Sequence, residues 1–117
     1  IYLNKKLQKQ PGGTEGPAHF HVSLVIDVSP NCDCHAENDI PIVPDVGMFA
    51  SFDPVALDRA CADAVNRQPV IAESQLDRMP HVHHDHLQFG ACDELEELLE
   101  HAEKIGIGTQ EYELIEI

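Results

Sequence analysis

The run from Asn31 to Asn66 constrains this chain more than any other stretch. Pro41 and Pro44 remove backbone donors and push their neighbours toward extended backbone, so Asp39–Val46 reads as an extended loop. Gly47–Ser51 is short and apolar enough for a strand. Asp53-Pro54 then pairs an N-cap residue with the residue best suited to the first helical position. Neither Gly nor Pro interrupts the chain again until Pro69, which predicts a helix ending near Asn66. Leu57, Ala60, Cys61 and Ala64 form its apolar stripe, small enough for close packing.

Upstream, His19–Val28 alternates with a period of two. Phe20, Val22, Leu24, Ile26 and Val28 share one face, which predicts a strand buried on that side. His19, His21, Ser23, Val25 and Asp27 share the other. Residues 1–18 carry Lys5, Lys6 and Lys9 and are broken by Pro11-Gly12-Gly13 and Gly16-Pro17, so they read as a peripheral lead. Residues 67–92 lack periodicity. A second helix is expected from about Asp93 to Ile105, with Leu95, Leu98, Leu99 and Ala102 inward and Gly106 and Gly108 stopping it. Glu111–Ile117 reads as a terminal strand. The expectation is a single α/β or α+β domain over residues 19–117, with a small mixed sheet and two main helices. The chain starts at Ile1 rather than Met, which points to a fragment of a larger α/β protein.

The chain has 117 residues, with 21 Asp+Glu against 7 Lys+Arg, for a formal charge of −14. Such a field repels phosphate backbones and favours cations or basic protein surfaces, so nucleic acid is not expected as a partner. No apolar stretch reaches the length of a membrane span, and no membrane partner is expected. Four cysteines without a secretory signal suggest reduced thiols or metal ligands and a cytoplasmic setting. A small sheet leaves edges open, so the remainder of a longer protein or a homodimer partner is expected to cover them.

Cys32 and Cys34 are the first candidates for chemistry. Two thiolates on one loop can hold a soft or borderline metal ion, or two atoms of a cluster, and His35 adds an imidazole beside them. Cys61, midway along the first predicted helix, and Cys92, just before the second, are further candidates, although the spacing of the four cysteines matches no ferredoxin pattern. His81, His83, His84 and His86 bunch around Asp85 and suit zinc, nickel or iron, with His19 and His21 able to contribute. Asp45 and Asp58 are candidates for acid–base work on an acidic cleft, beside Asp39 and Asp53. No nucleophile elbow, P-loop or dinucleotide fingerprint is present.

Cys32-Asp33-Cys34, the Asp39–Pro44 loop, Asp45-x-Gly47 and Ser51-Phe52-Asp53-Pro54-Val55-Ala56-Leu57-Asp58 resemble domain-of-unknown-function family 362. Its members are often labelled uncharacterised iron–sulfur centre proteins. Ala102–Gly108 and Glu111–Leu114 are similar to the family's closing segment. The resemblance implies an α/β domain that accompanies a 4Fe-4S-type iron–sulfur cluster in a redox setting, with a redox partner protein. Family members commonly carry a ferredoxin-type insert of repeated C-x-x-C spacing, which this chain lacks. Three readings follow: metal or cluster binding through Cys32 and Cys34, a zinc-type module using those cysteines with histidines, and an enzyme domain with an acidic cleft.

Overall fold

The computed structural model describes residues 19–31, 35–79, 85–87 and 95–117. Cys32, Cys34, His81, His83, His84, Cys92 and the lead of residues 1–18 lie outside them. Two strands, β1 (His21–Val25) and β2 (Gly47–Ser51), pair antiparallel, with His21 opposite Ser51 and Val25 opposite Gly47. Two helices follow, α1 (Pro54–Asn66) and α2 (Leu95–Lys104), making a small α/β fold.

The long connection between the strands is part of the core. Asp27 ends β1 by entering the left-handed region at φ 49°, which short polar residues tolerate best, and its N–H donates to Asp45 Oδ1 at 2.9 Å. Ile42 and Val43, at a bend between Pro41 and Pro44, are both buried. Ile42 N–H donates to the Val28 carbonyl, Val46 N–H to Val25, and Ile71 N–H to Ile42, each at 2.9 Å. The loop thus has strand-like backbone partners. Val25, Ile42, Val43, Val65 and Leu76 form the buried cluster, and Val28, Val46, Phe49, Cys61, Val70 and Leu87 pack around it.

α1 starts as its sequence dictates. Asp53 sits in extended backbone at φ −107° and ψ 115°, its Oδ1 accepting from Val55 N–H at 2.9 Å and Ala56 N–H at 3.1 Å. The buried set on α1 extends past the expected stripe to Val55, Ala56, Ala62 and Val65, because the helix contacts both strands and α2. α2 buries Leu99, whereas Leu98 is exposed, so its inward stripe is narrower than its spacing suggests. Its end is a Schellman cap: Gly106 takes φ +75°, its N–H bonds the Glu103 carbonyl, and Ile107 N–H bonds that of Ala102.

Two expectations are overturned. Phe20, Val22, Leu24 and Ile26 are exposed, while His21, Ser23 and Val25 face α1. The alternation was real, but the covering helix settled on the other side. Residues 111–117 form no strand. Tyr112 donates to Asp63 Oδ2 at 2.6 Å and accepts from Arg67 Nη2 at 3.1 Å, and Thr109 Oγ1 donates to Glu103 Oε1 at 3.0 Å. These side-chain bonds tie the tail to the helices instead of to a sheet edge.

Asp53 also holds the tail, since Thr109 N–H donates to its Oδ2 at 2.9 Å. A Cβ on Gly108 would lie 2.0 Å from Asp53 Oδ1, so only glycine permits this approach. Gly108→Ala should therefore cost about 1–3 kcal/mol. Asp53→Ala should cost about 1–2 kcal/mol through the lost cap and tail anchor. Urea unfolding of both single variants and the double variant checks this. Gly108→Ala should cost much less in the Asp53→Ala background, and strict additivity would refute the coupling.

Candidate functional site

Two hydrogen bonds hold the described residues on either side of the Cys-x-Cys motif. Ser29 Oγ donates to the Asn31 carbonyl at 2.9 Å, and Asn31 Nδ2 donates to the Glu37 carbonyl at 3.3 Å. One side chain therefore ties together the two ends of the segment that contains Cys32, Cys34 and His35. His35 Nδ1 donates to Glu37 Oε1 at 3.0 Å. A carboxylate can only accept, so Nδ1 carries the proton of this bond and Nε2 is left outside it. Metal-bound histidines are commonly oriented by such a carboxylate. The same hydrogen bond holds the Glu37 carboxyl below its ordinary range. Glu37 and Asn31 were not singled out from the sequence, although a carboxylate two residues after a candidate ligand histidine was visible there.

A second group lies on the seam between β1 and α1. Period two puts His21 and Ser23 on the inner face of β1, with His19 continuing that face, and Asp58 and Cys61 lie three apart on α1. His19 Nδ1 and His21 Nε2 are 2.6 Å apart, one donating to the other, and the rings meet edge-on with centroids 4.6 Å apart. His19 Nε2 is buried without a hydrogen-bond partner. Asp58 keeps part of its surface in water, yet desolvation by its neighbours pushes its carboxyl above the ordinary range, opposed by the nearby His21. Desolvation likewise pushes the Cys61 thiol up, opposed by a hydrogen bond with Ser23 and reinforced by the Asp58 charge. Cys61 is thus a protonated thiol at neutral pH, the reverse of an activated nucleophile.

Among the described residues, no three His, Cys, Asp or Glu side chains are arranged to hold a metal ion. Asp45 does not join Asp58: it closes the turn near Val25 through the Asp27 N–H, at the opposite end of β1 from His21. His86 is buried against the end of α1, where its Nδ1–H donates to the Val65 carbonyl at 3.1 Å and its backbone N–H to Asn66 Oδ1 at 2.8 Å. Its neighbour Asp85 accepts from Asn66 Nδ2 and Leu87 N–H, both at 3.1 Å. His86 and Asp85 therefore pin the segment to the helix.

The raised carboxyl of Asp58 has a definite pH signature. The folded state binds its proton more tightly than the unfolded chain, whose value is about 3.9. Its stabilising contribution is complete below that value and is lost as pH rises through the raised folded value. Asp58→Asn should therefore raise the melting temperature at pH 7 modestly, on the order of 1–3 °C, with no gain at about pH 3. Removing the Asp58 charge should also speed alkylation of Cys61 roughly two- to fivefold, followed by peptide mapping. A slower reaction in Asp58→Asn would contradict the assigned contact.

The model of the family described as a domain of unknown function, DUF362, matches residues 3–63. No curated protein and no solved structure matches this chain. The matched span includes part of the lead, both strands, the Cys-x-Cys loop and the first turns of α1 through Asp58 and Cys61. The closing segment from Ala102 lies outside it. More than half of the sequence falls within this match, and the chain belongs to the DUF362 family.

Proposed function

We propose that this chain is a metal- or cluster-binding unit in a redox protein, with Cys32, Cys34 and His35 as its ligands. The observation that carries the reading is the geometry bracketing the motif: a loop tied at Asn31 and Glu37, and an imidazole oriented by the Glu37 carboxylate. Two thiolates and an imidazole form a soft-to-borderline donor set, which suits iron and zinc and disfavours magnesium or calcium. The formal charge of −14 adds a general attraction for cations.

The iron–sulfur labels common in the family favour a cluster as the first identity, and a cluster would supply one-electron transfer. The described residues support a mixed cysteine–histidine site better than one held by all four cysteines. Cys61 is the described cysteine, and its thiol is engaged with Ser23 and raised by burial. Asn31 and Glu37 close the loop, His35 presents Nε2, and the remaining ligand positions would fall to groups beyond Cys32, Cys34 and His35. The carboxylate-anchored histidine equally suits a zinc-type module without redox chemistry, which is the second reading.

Anaerobic reconstitution with iron and sulfide should give absorbance near about 400 nm and bound acid-labile sulfide. Both signals should disappear in Cys32→Ser/Cys34→Ser. Glu37→Gln should keep the ligands but weaken metal binding about 10- to 100-fold. Zinc bound without sulfide would shift the conclusion to the second reading. A protein that stays colourless and metal-free after this reconstitution would overturn the proposal.

A further inference from the structure

Among the described residues, nothing covers the apolar outer face of the β1–β2 sheet. Val22 (53%), Leu24 (63%) and Ile26 (45%) alternate along β1 and just past it, beside Met48 (71%) of β2. Phe20 (58%) and Phe52 (55%) close one end with ring centroids 5.1 Å apart. Side chains of this size expose on the order of 600 Å² together, comparable to the largest apolar patch on a typical monomer and characteristic of interaction sites. The opposite end carries Asp27 and Asp45, both exposed. From His19 to Asp53 the sequence has no Lys or Arg, so no basic side chain of this segment offsets them.

We propose that this face is a docking surface for an amphipathic helix, apolar on one side and bearing Lys or Arg toward one end. The apolar side would lie over Leu24 and Met48 and end against Phe20 and Phe52. The basic end would meet Asp27 and Asp45. Strands of five residues span about 17 Å, which a helix of about 11 residues covers.

Charge and area decide against two other occupants. A second copy would bury only about 1,200 Å² in total, the lower edge of stable interfaces, and its own residues 19–53 would bring no basic side chain to Asp27 or Asp45. The chain's own residues 1–10 carry Lys5, Lys6 and Lys9, but Leu3 and Leu7 are their one apolar pair at helical spacing. That pair is too little to cover six large side chains. The proposal is independent of the metal loop, because it uses no cysteine or histidine.

The probe is a fluorescent Leu/Lys peptide of about 18 residues with one apolar helical face, alongside a Leu/Glu peptide of the same pattern and a scrambled Leu/Lys peptide. Binding to the full chain is read by anisotropy at about 50 mM and about 300 mM salt. The patterned Leu/Lys peptide should bind, more weakly at high salt, and the controls should not. Leu24→Ser/Met48→Ser changes exposed side chains, so circular dichroism should be unaltered while affinity falls about tenfold or more. Asp27→Asn/Asp45→Asn should lose affinity severalfold and flatten the salt dependence. Equal binding of either control, no binding at all, or unchanged affinity in Leu24→Ser/Met48→Ser would overturn the proposal. So would sedimentation showing a dimer that this variant dissociates, which would make a second copy the occupant. Tighter peptide binding by Lys5→Gln/Lys6→Gln/Lys9→Gln would instead assign the face to the chain's own lead.

Discussion

Asp53 is the point through which the sheet, the first helix and the tail are joined. Its backbone N–H donates to Ser51 Oγ at 3.0 Å and its carbonyl accepts from Leu57 N–H at 3.1 Å. Its carboxylate accepts two N–H groups of α1 and one from Thr109. Hydrogen bonds to an ionised acceptor are stronger than neutral ones, and the helix's positive end favours the charge. Because β2 ends two residues before Asp53 and α1 begins one residue after it, the direction in which α1 leaves the sheet depends on this side chain. That direction determines which face of β1 is covered. The seam residues and the open outer face are both consequences of it.

Among the described residues, several other carboxylates link one element to another. Asp63 pairs with Arg59 at 3.2 Å and accepts from Tyr112, so it links α1 to the tail. Arg59 reaches on to Glu96, linking α1 to α2. These pairs are partly exposed, and each contributes at most about 1 kcal/mol, so they set register more than stability. Hydrogen bonds from Thr109 and Gln110 hold Glu103 below its ordinary range. Asp58 departs from this pattern, because desolvation outweighs the attraction of His21. A carboxylate kept under-compensated beside His21 and the Cys61 thiol distinguishes the seam from ordinary surface.

What could be read in the sequence was local. Asp53-Pro54 specified the start of α1, and Gly106 specified the end of α2, because caps depend on residues within one turn. β2 was legible from a short apolar run between a proline-rich loop and a cap. The buried face of β1 was not, since alternation marks two faces without saying which one a helix will cover. The tail illustrates the same limit. Tyr112 and Leu114 have strand-like spacing, but Tyr112 spends its hydroxyl on Asp63, 49 residues earlier. The candidate site divides in the same way. His35 beside Glu37 could be read from adjacency, whereas the meeting of His21, Asp58 and Cys61 requires α1 to cross β1 at one register. Asp45 and Asp58 looked like partners in sequence and lie at opposite ends of that strand.

β1 therefore separates two kinds of chemistry. Its inner face places titratable groups under a helix, where desolvation governs them. Its outer face is apolar and ends in Ile26 and Asp27, four residues before Asn31 opens the loop that includes Cys32, Cys34 and His35. A helix docked with its basic end over Asp27 and Asp45 would thus rest beside the proposed ligand loop. It would reduce water around that loop while compensating charge on its acidic flank. Both effects act on the electrostatics of a bound metal, since the dielectric and the nearby charge set its preferred oxidation state. The topology thus puts the proposed docking face and the proposed ligand loop at the same end of one strand, where occupation of either would alter the electrostatic surroundings of the other.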